Sequence, residues 1–275
     1  MRYFLNLLIF LVFLPQVAFC DEEAQRSKTI LMAILARNQE HVLPRYLDCI
    51  DKLSYDKQAI TVYIHADQSE DRTQEILKKW ADKNRYVYRS IIFENNERFN
   101  HFKDKPKNER NAAIRAASLQ LVKEHHSDYY FVSDCDNFID SYTLADLVSK
   151  DKPIIAPMLK AFPISRDPFS NFFCAVDSNG YYAHSEEYSD ILNGNKKGTF
   201  EVPAVSRTYL VKADCIDKLT YADGTTNQYD FIVFSRCARN KGVAQYICNE
   251  KEYGLLLHLD EWEWPPPEHL RNKIP

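Results

Sequence analysis

The sequence predicts an α/β fold with a mostly parallel sheet flanked by helices. Three observations carry this. Strand-like and helix-like segments alternate through the first hundred residues, as in parallel strands joined by crossover helices. The 275 residues are 45% hydrophobic and 27% charged, an ordinary globular balance that excludes disorder, collagen and coiled coil. Acidic residues follow apolar strands at Asp67 and Asp134–Asp136, and in an open α/β sheet the carboxyl edge of the strands is where ligands bind.

The elements follow in order. Residues 1–20 read as a secretory signal peptide. Arg2 precedes the apolar run Tyr3–Leu14, Pro15 ends it, and Ala18 and Cys20 stand where a signal peptidase reads small residues. The run is shorter than the roughly 20 residues needed to span a bilayer; an uncleaved anchor is the alternative. Residues 21–275 are then expected to form a single domain in the secretory pathway: lumenal, secreted, or periplasmic in a bacterium. That part holds six cysteines (Cys49, Cys135, Cys174, Cys215, Cys237 and Cys248), an even number that permits disulfides in an oxidising compartment.

Thr29–Ala36 is a buried strand and Glu40–Leu53 a helix, with Pro44 suited to its first turn. Ala59–His65 is strand, Ser69–Lys83 helix and Tyr86–Phe93 strand. The polar stretch Asn95–Lys107 reads as loop. Asn108–His125 is a helix with Asn108 as N-cap. Asp128–Val132 is a buried strand, Ser141–Leu147 a short helix and Pro153–Pro157 another strand. From Phe172 the segments become shorter, aromatic and strand-like, at Phe172–Val176, Tyr181–Ala183 and Phe200–Val211. Asp230–Cys237 is helix, Gln245–Cys248 strand, and Glu261–Pro267 an extended segment with three consecutive prolines.

The formal charge of −4 gives no basic footprint for nucleic acid. The chemistry concentrates at Asp134-Cys135-Asp136. Residues i and i+2 face the same way while a chain stays extended, so two carboxylates can converge on one hard divalent cation, which completes its shell with substrate phosphate. The plainer reading is a solvated Asp pair opening a turn. Arg110, in the first turn of its helix, is the candidate diphosphate contact; Arg115, five residues on, shares that helix. Asp67 and Asp71 could accept hydrogen bonds from a ribose or uracil, or cap the next helix. Asp230 at a helix start is either an ordinary cap or a general base for an acceptor hydroxyl. His258 could be a further metal ligand or a structural histidine. Phe169–Phe173 with Tyr181 and Tyr182 could line an acceptor groove or simply pack. A glycoside hydrolase would need two carboxyls about 5–9 Å apart with one protonated, and nothing in the sequence locates such a pair.

Short segments in a fixed order cover nearly the whole chain after residue 20: Leu35-Ala36-Arg37-Asn38, Asp67 to Asp71 with Thr73, Arg110 with Ala112-Ala113, and Phe131 to Asn137. Then come Ala156 to Leu159, Ser170 to Cys174, Gly180-Tyr181-Tyr182, Val202-Pro203, Asp230 with Ile232-Val233-Phe234, Tyr246 to Asn249 and Glu252-Tyr253-Gly254. In these the chain resembles the amino-terminal glycosyltransferase domain of the procollagen galactosyltransferase family, which includes the cerebral endothelial cell adhesion molecule. The resemblance implies a GT-A nucleotide-diphosphosugar fold and Mn²⁺-dependent transfer of galactose from UDP-galactose to collagen hydroxylysine. Carried over, Asp134 and Asp136 are the metal and nucleotide residues and Asp230 matches the second Asp of a family Asp-Asp pair; Arg37, Asn38, Asp67 and Arg110 are then expected to bind the donor with Asp134, and Asp230 is the expected catalytic base. Tyr229 stands where the family has the first Asp of an Asp-Asp pair, and family members carry a second glycosyltransferase domain. A glycosyltransferase-like protein that only binds or adheres is the alternative function.

Overall fold

The structure is a computed structural model that describes residues 27–94, 104–162, 169–224 and 228–257. The expected alternation is present: β1 (Ile30–Ala36), α1 (Leu43–Lys52), β2 (Ile60–Ala66), α2 (Thr73–Asn84) and β3 (Ser90–Glu94). β1 pairs in parallel with β2, and β2 with β3. α3 (Lys107–Glu124) then delivers β4 (Tyr129–Ser133) to the other side of β1, again parallel.

The second half adds β5 (Asn137–Ile139), α4 (Thr143–Ser149), β6 (Ile154–Pro157), β7 (Lys160–Phe162), β8 (Phe172–Phe173) and α5 (Glu186–Leu192). It ends with β9 (Thr199–Val202), β10 (Ala204–Val205), β11 (Thr208–Lys212), α6 (Asp230–Asn240), β12 (Gln245–Cys248) and β13 (Gly254–Leu257). The main sheet runs β3-β2-β1-β4-β11-β6-β12-β9. β11 is antiparallel to both neighbours and β9 to β12, and the remaining pairings are parallel. β5, β13 and β7 form a second, three-stranded sheet.

β1 shows why the apolar run had to be a central strand. Ile30, Met32 and Ile34 pack into the core on one face, Leu31 and Ala33 into the core on the other, and all are at most 1% exposed. A strand buried on both faces carries no polar alternation, as parallel sheets require. On one face α1 and α2 add Tyr46, Ile50, Leu77 and Trp80; on the other α3 and α6 add Leu119, Val122 and Phe234.

Several boundaries differ from expectation for identifiable reasons. The N-cap of α3 is Pro106 rather than Asn108, which falls inside the first turn. Tyr86–Arg89 is not strand: the amides of Val87 and Tyr88 turn back onto the Asn84 carbonyl, and β3 starts at Ser90. The expected single segment Phe200–Val211 is three strands. Pro203, which lacks an N–H, separates β9 from β10, and Arg207 at φ 65° separates β10 from β11. The six described cysteines are all free, so the disulfides their even number permitted are not formed. Among the described residues no helix is long and apolar enough to cross a membrane. The expected signal peptide at residues 1–20, His258 and Glu261–Pro267 lie outside the described residues.

Candidate functional site

A cleft of about 570 Å³ opens at the carboxyl ends of β1, β2 and β4 and is walled by the first turns of α3. Arg37, Asn38, Asp67, Arg110, Asp134 and Asp136 all line it, together with His65 and Arg115. The structure therefore brings six of the residues singled out from the sequence into one cleft, while Asp71 does not line it and His258 lies outside the described residues.

The loop after β4 is held from all sides. The Asp134 amide donates to the Arg207 carbonyl at 3.1 Å, and the Asn137 amide closes a turn onto the Asp134 carbonyl at 3.0 Å. The Leu257 amide of β13 donates to the Asp136 carbonyl at 2.8 Å. The Tyr46 hydroxyl donates to the Ser133 carbonyl at 3.1 Å. The chain turns here rather than staying extended, yet both carboxylates still face the cleft.

Each carboxylate has one oxygen paired. Asp134 Oδ1 meets Arg115 Nη2, and Asp136 Oδ2 accepts from Arg207 Nη1 at 2.8 Å. Asp136 Oδ1 is buried with no hydrogen-bond partner. Burial pushes the Asp136 carboxyl up to about 6, with Arg207 opposing and Asp134 reinforcing the shift. A buried, unpartnered carboxylate oxygen beside a second carboxylate is what a hard divalent cation would satisfy. Among the described residues no group of three or more His, Cys, Asp and Glu could hold a metal, so two carboxylates are what this part of the chain offers.

Asp67, 6% exposed at the side chain, pairs with Arg110 Nε at 2.7 Å and more loosely with Arg37 at 3.8 Å. Burial raises its carboxyl, partly opposed by Arg37. Asn38 sits at φ 52°, a backbone region Asn tolerates, and its Oδ1 accepts from the Glu70 amide at 2.9 Å. It thereby ties the turn after β1 to the loop after β2. Asp71 takes the capping reading: Oδ1 accepts from the Thr73 amide at 2.9 Å and Oδ2 from the Glu40 amide at 3.0 Å.

Asp230 is outside the cleft lining but reaches it through Arg115, whose Nε lies 2.7 Å from Asp230 Oδ2. The other oxygen of Asp230 accepts from the Phe231 amide at 2.9 Å. Tyr229 and Phe231 flank it with their rings stacked at 5.9 Å. From there rings follow in unbroken contact, Phe231 to Phe173 at 5.9 Å, Phe173 to Tyr182 at 5.6 Å and Tyr182 to Tyr188 at 5.4 Å. Tyr181 joins at Tyr229, 6.5 Å away. Tyr229 and Tyr182 are 55% and 46% exposed, so the path opens to solvent at these two rings, while Tyr188 at its far end is buried in the core.

Two arginines were missed or undervalued from sequence. Arg207 reaches Asp136 across 71 residues of chain, and no local signal marks it. Arg115 was visible on the same helix as Arg110, but its position five residues further on did not show that it would face the loop after β4.

Comparison with known proteins supplies the family. The chain is 33% identical over 250 residues to procollagen galactosyltransferase 2 of Homo sapiens, covering 86% of this chain and 39% of that protein. It is 31% identical to the inactive glycosyltransferase 25 family member 3 of Homo sapiens, covering 82% of this chain and 40% of the relative. The chain thus spans about two fifths of the length of these relatives. Among solved structures, S. aureus TarS 1–349 in complex with UDP-GlcNAc superposes with a TM-score of 0.56 at 14% identity, covering 86% of this chain and 60% of that one. GalNAc-T7 with UDP, GalNAc and Mn²⁺ gives 0.56 at 13%, covering 88% and 45%. These likenesses show a shared GT-A fold. The family model for the glycosyltransferase family 25 N-terminal domain matches residues 27–261. From this match and the relatives' identity, the chain belongs to glycosyltransferase family 25.

Proposed function

We propose that the chain is a Mn²⁺-dependent glycosyltransferase that moves a hexose, galactose foremost, from a UDP-sugar to a protein hydroxyl, with collagen hydroxylysine the first acceptor to test. The observation that carries the reading is the Asp134/Asp136 pair at the strand ends, with Asp136 Oδ1 buried and unpartnered. The UDP-sugar and Mn²⁺ in the solved structures of like fold, and the activity named for the human relative, support it.

In this reading Asp134 and Asp136 would hold the divalent ion, which when bound neutralises charge developing on the diphosphate leaving group. Asp67 sits at the cleft floor to accept from the nucleoside, and Arg110 and Arg37 supply fixed positive charge along its wall. Asp230 receives the proton of the acceptor hydroxyl, held at the start of α6 where the helix dipole favours the carboxylate. The exposed rings from Tyr229 to Tyr182 form the surface along which a polypeptide acceptor lies. The setting is the secretory pathway, where the signal read at residues 1–20 would deliver the chain.

A second reading, binding without turnover, draws on two observations. Asp230 already has both oxygens engaged, and a human relative 31% identical to the chain carries the name inactive glycosyltransferase 25 family member 3. One experiment separates the two: purified protein is incubated with a panel of UDP-sugars, with and without Mn²⁺ and a hydroxylysine-containing collagen peptide. Release of UDP that requires Mn²⁺ and rises with the peptide supports the enzyme. UDP binding with no release from any donor supports the binding protein.

A further inference from the structure

Among the described residues, Arg115 links the two ends of the site. It projects from α3, and its side chain is only 15% exposed. Nη2 pairs with Asp134, on the loop after β4, while Nε pairs with Asp230, the first residue of α6. Nη1 is buried without a hydrogen-bond partner, so the guanidinium is held in place by these two carboxylates. Each carboxylate in turn keeps a different second engagement. Asp230 Oδ1 accepts from the Phe231 amide, and Asp134 borders the cleft beside Asp136.

We propose that Arg115 is a positioning residue that couples the donor end of the site to the acceptor end by sharing one guanidinium between Asp134 and Asp230. This rests on the reading of Asp134 as a metal residue and Asp230 as the acceptor-side base. Its logic is competition for one positive charge. With Asp134 engaged by a divalent ion, the Arg115 guanidinium would be left more fully to Asp230, so an occupied donor end would fix the acceptor-side carboxylate in place. Conversely, removing the charge of Asp230 leaves the guanidinium wholly to Asp134, where it opposes a divalent cation. Arginine suits this and lysine does not: a planar fork presents donors to two acceptors at once, whereas an ammonium is a single point charge.

The test is a double-mutant cycle read by Mn²⁺ affinity, from the electron paramagnetic resonance signal of free Mn²⁺, rather than by turnover. Four proteins are compared in the presence of UDP: wild type, Asp230→Asn, Arg115→Lys and the double variant. Asp230→Asn is expected to weaken Mn²⁺ binding about three- to tenfold in the wild-type background and by less than roughly twofold in the Arg115→Lys background. A purely structural role for Arg115 gives equal effects in both. Equal effects, or a wild-type affinity in Asp230→Asn alone, overturn the coupling, and the second result does so even if Arg115→Lys fails to fold. A wild-type protein that binds no Mn²⁺ overturns the metal reading and this role together. Mn²⁺ binding without coupling overturns this role alone.

Discussion

Gly254→Ala tests how the Asp134–Asp136 loop is held. Gly254 opens β13 at φ +127°, and a Cβ there would stand 2.1 Å from the Phe138 carbonyl oxygen and 2.9 Å from the Ile139 Cα. Both are backbone atoms of β5, so no side chain can rotate aside. The register pairs Gly254 with Ile139 and Leu256 with Asn137, the residue directly after Asp136. Alanine must therefore push β13 away from β5 and pull the Leu257 amide off the Asp136 carbonyl. Backbone strain of about 1–3 kcal/mol and overpacking of about 1–3 kcal/mol sum to about 2–6 kcal/mol. That is a large share of a typical domain stability of about 5–15 kcal/mol. Gly242→Ala is the control, because Gly242 also has a positive φ, +65°, but its Cβ would meet nothing within 4 Å. It should cost only the strain, about 1–2 kcal/mol. Urea unfolding followed by circular dichroism reads both, and Mn²⁺ affinity reads the loop. If Gly254→Ala costs no more than Gly242→Ala, the backbone clash is not real and the reasoning fails.

Three further outcomes are expected. Asp136→Asn should lower Mn²⁺-dependent UDP release by roughly 100-fold or more, measured under saturating donor, since it removes a carboxylate that would hold the ion neutralising the leaving group. Arg110→Met should destabilise the protein by up to about 3–5 kcal/mol in urea titrations, because it leaves the buried Asp67 carboxylate only the looser Arg37 contact, and adding Asp67→Leu should restore much of that loss. His65 is fully buried and burial pushes its imidazole down to about 4. Its folded pKa lies below the unfolded value, so the unfolded state takes up the proton first and stability falls as pH drops below about 6.5, by about 2 kcal/mol between pH 7 and pH 5. Asp136, raised to about 6, binds its proton more tightly when folded and offsets part of that loss. The His65→Leu variant should therefore have the flatter or even inverted acid limb, and an unchanged slope would contradict the imidazole's role.

The fold was legible where one element could be read from its own residues. The apolar run Ile30–Ala36, followed by a helix opening near Pro44, needed no partner to be recognised. The second sheet was not legible. Leu255-Leu256-Leu257 reads equally well as core of any kind, and pairing with Asn137 and Phe138 on one side and with Lys160–Phe162 on the other, all far away in sequence, makes it a strand. The site divides the same way. Asp134 and Asp136 announce themselves by following a buried strand, and Arg110 by opening a helix. Arg207 does not, because its role comes from its own left-handed backbone at the break before β11 and from that antiparallel strand folding back beside β4. The link from Asp134 through Arg115 to Asp230 joins three separate elements, and no spacing in the chain encodes it.

The most direct test of the central claim, that the Asp134/Asp136 loop is a metal-dependent nucleotide-sugar site, is calorimetric titration of UDP into wild type and Asp136→Asn, with and without Mn²⁺. Binding should be tight only with Mn²⁺ in wild type and should lose that Mn²⁺ dependence in the variant, whose thermal midpoint stays close to wild type. Equal UDP affinity in all four titrations, or no binding in any, would contradict the account.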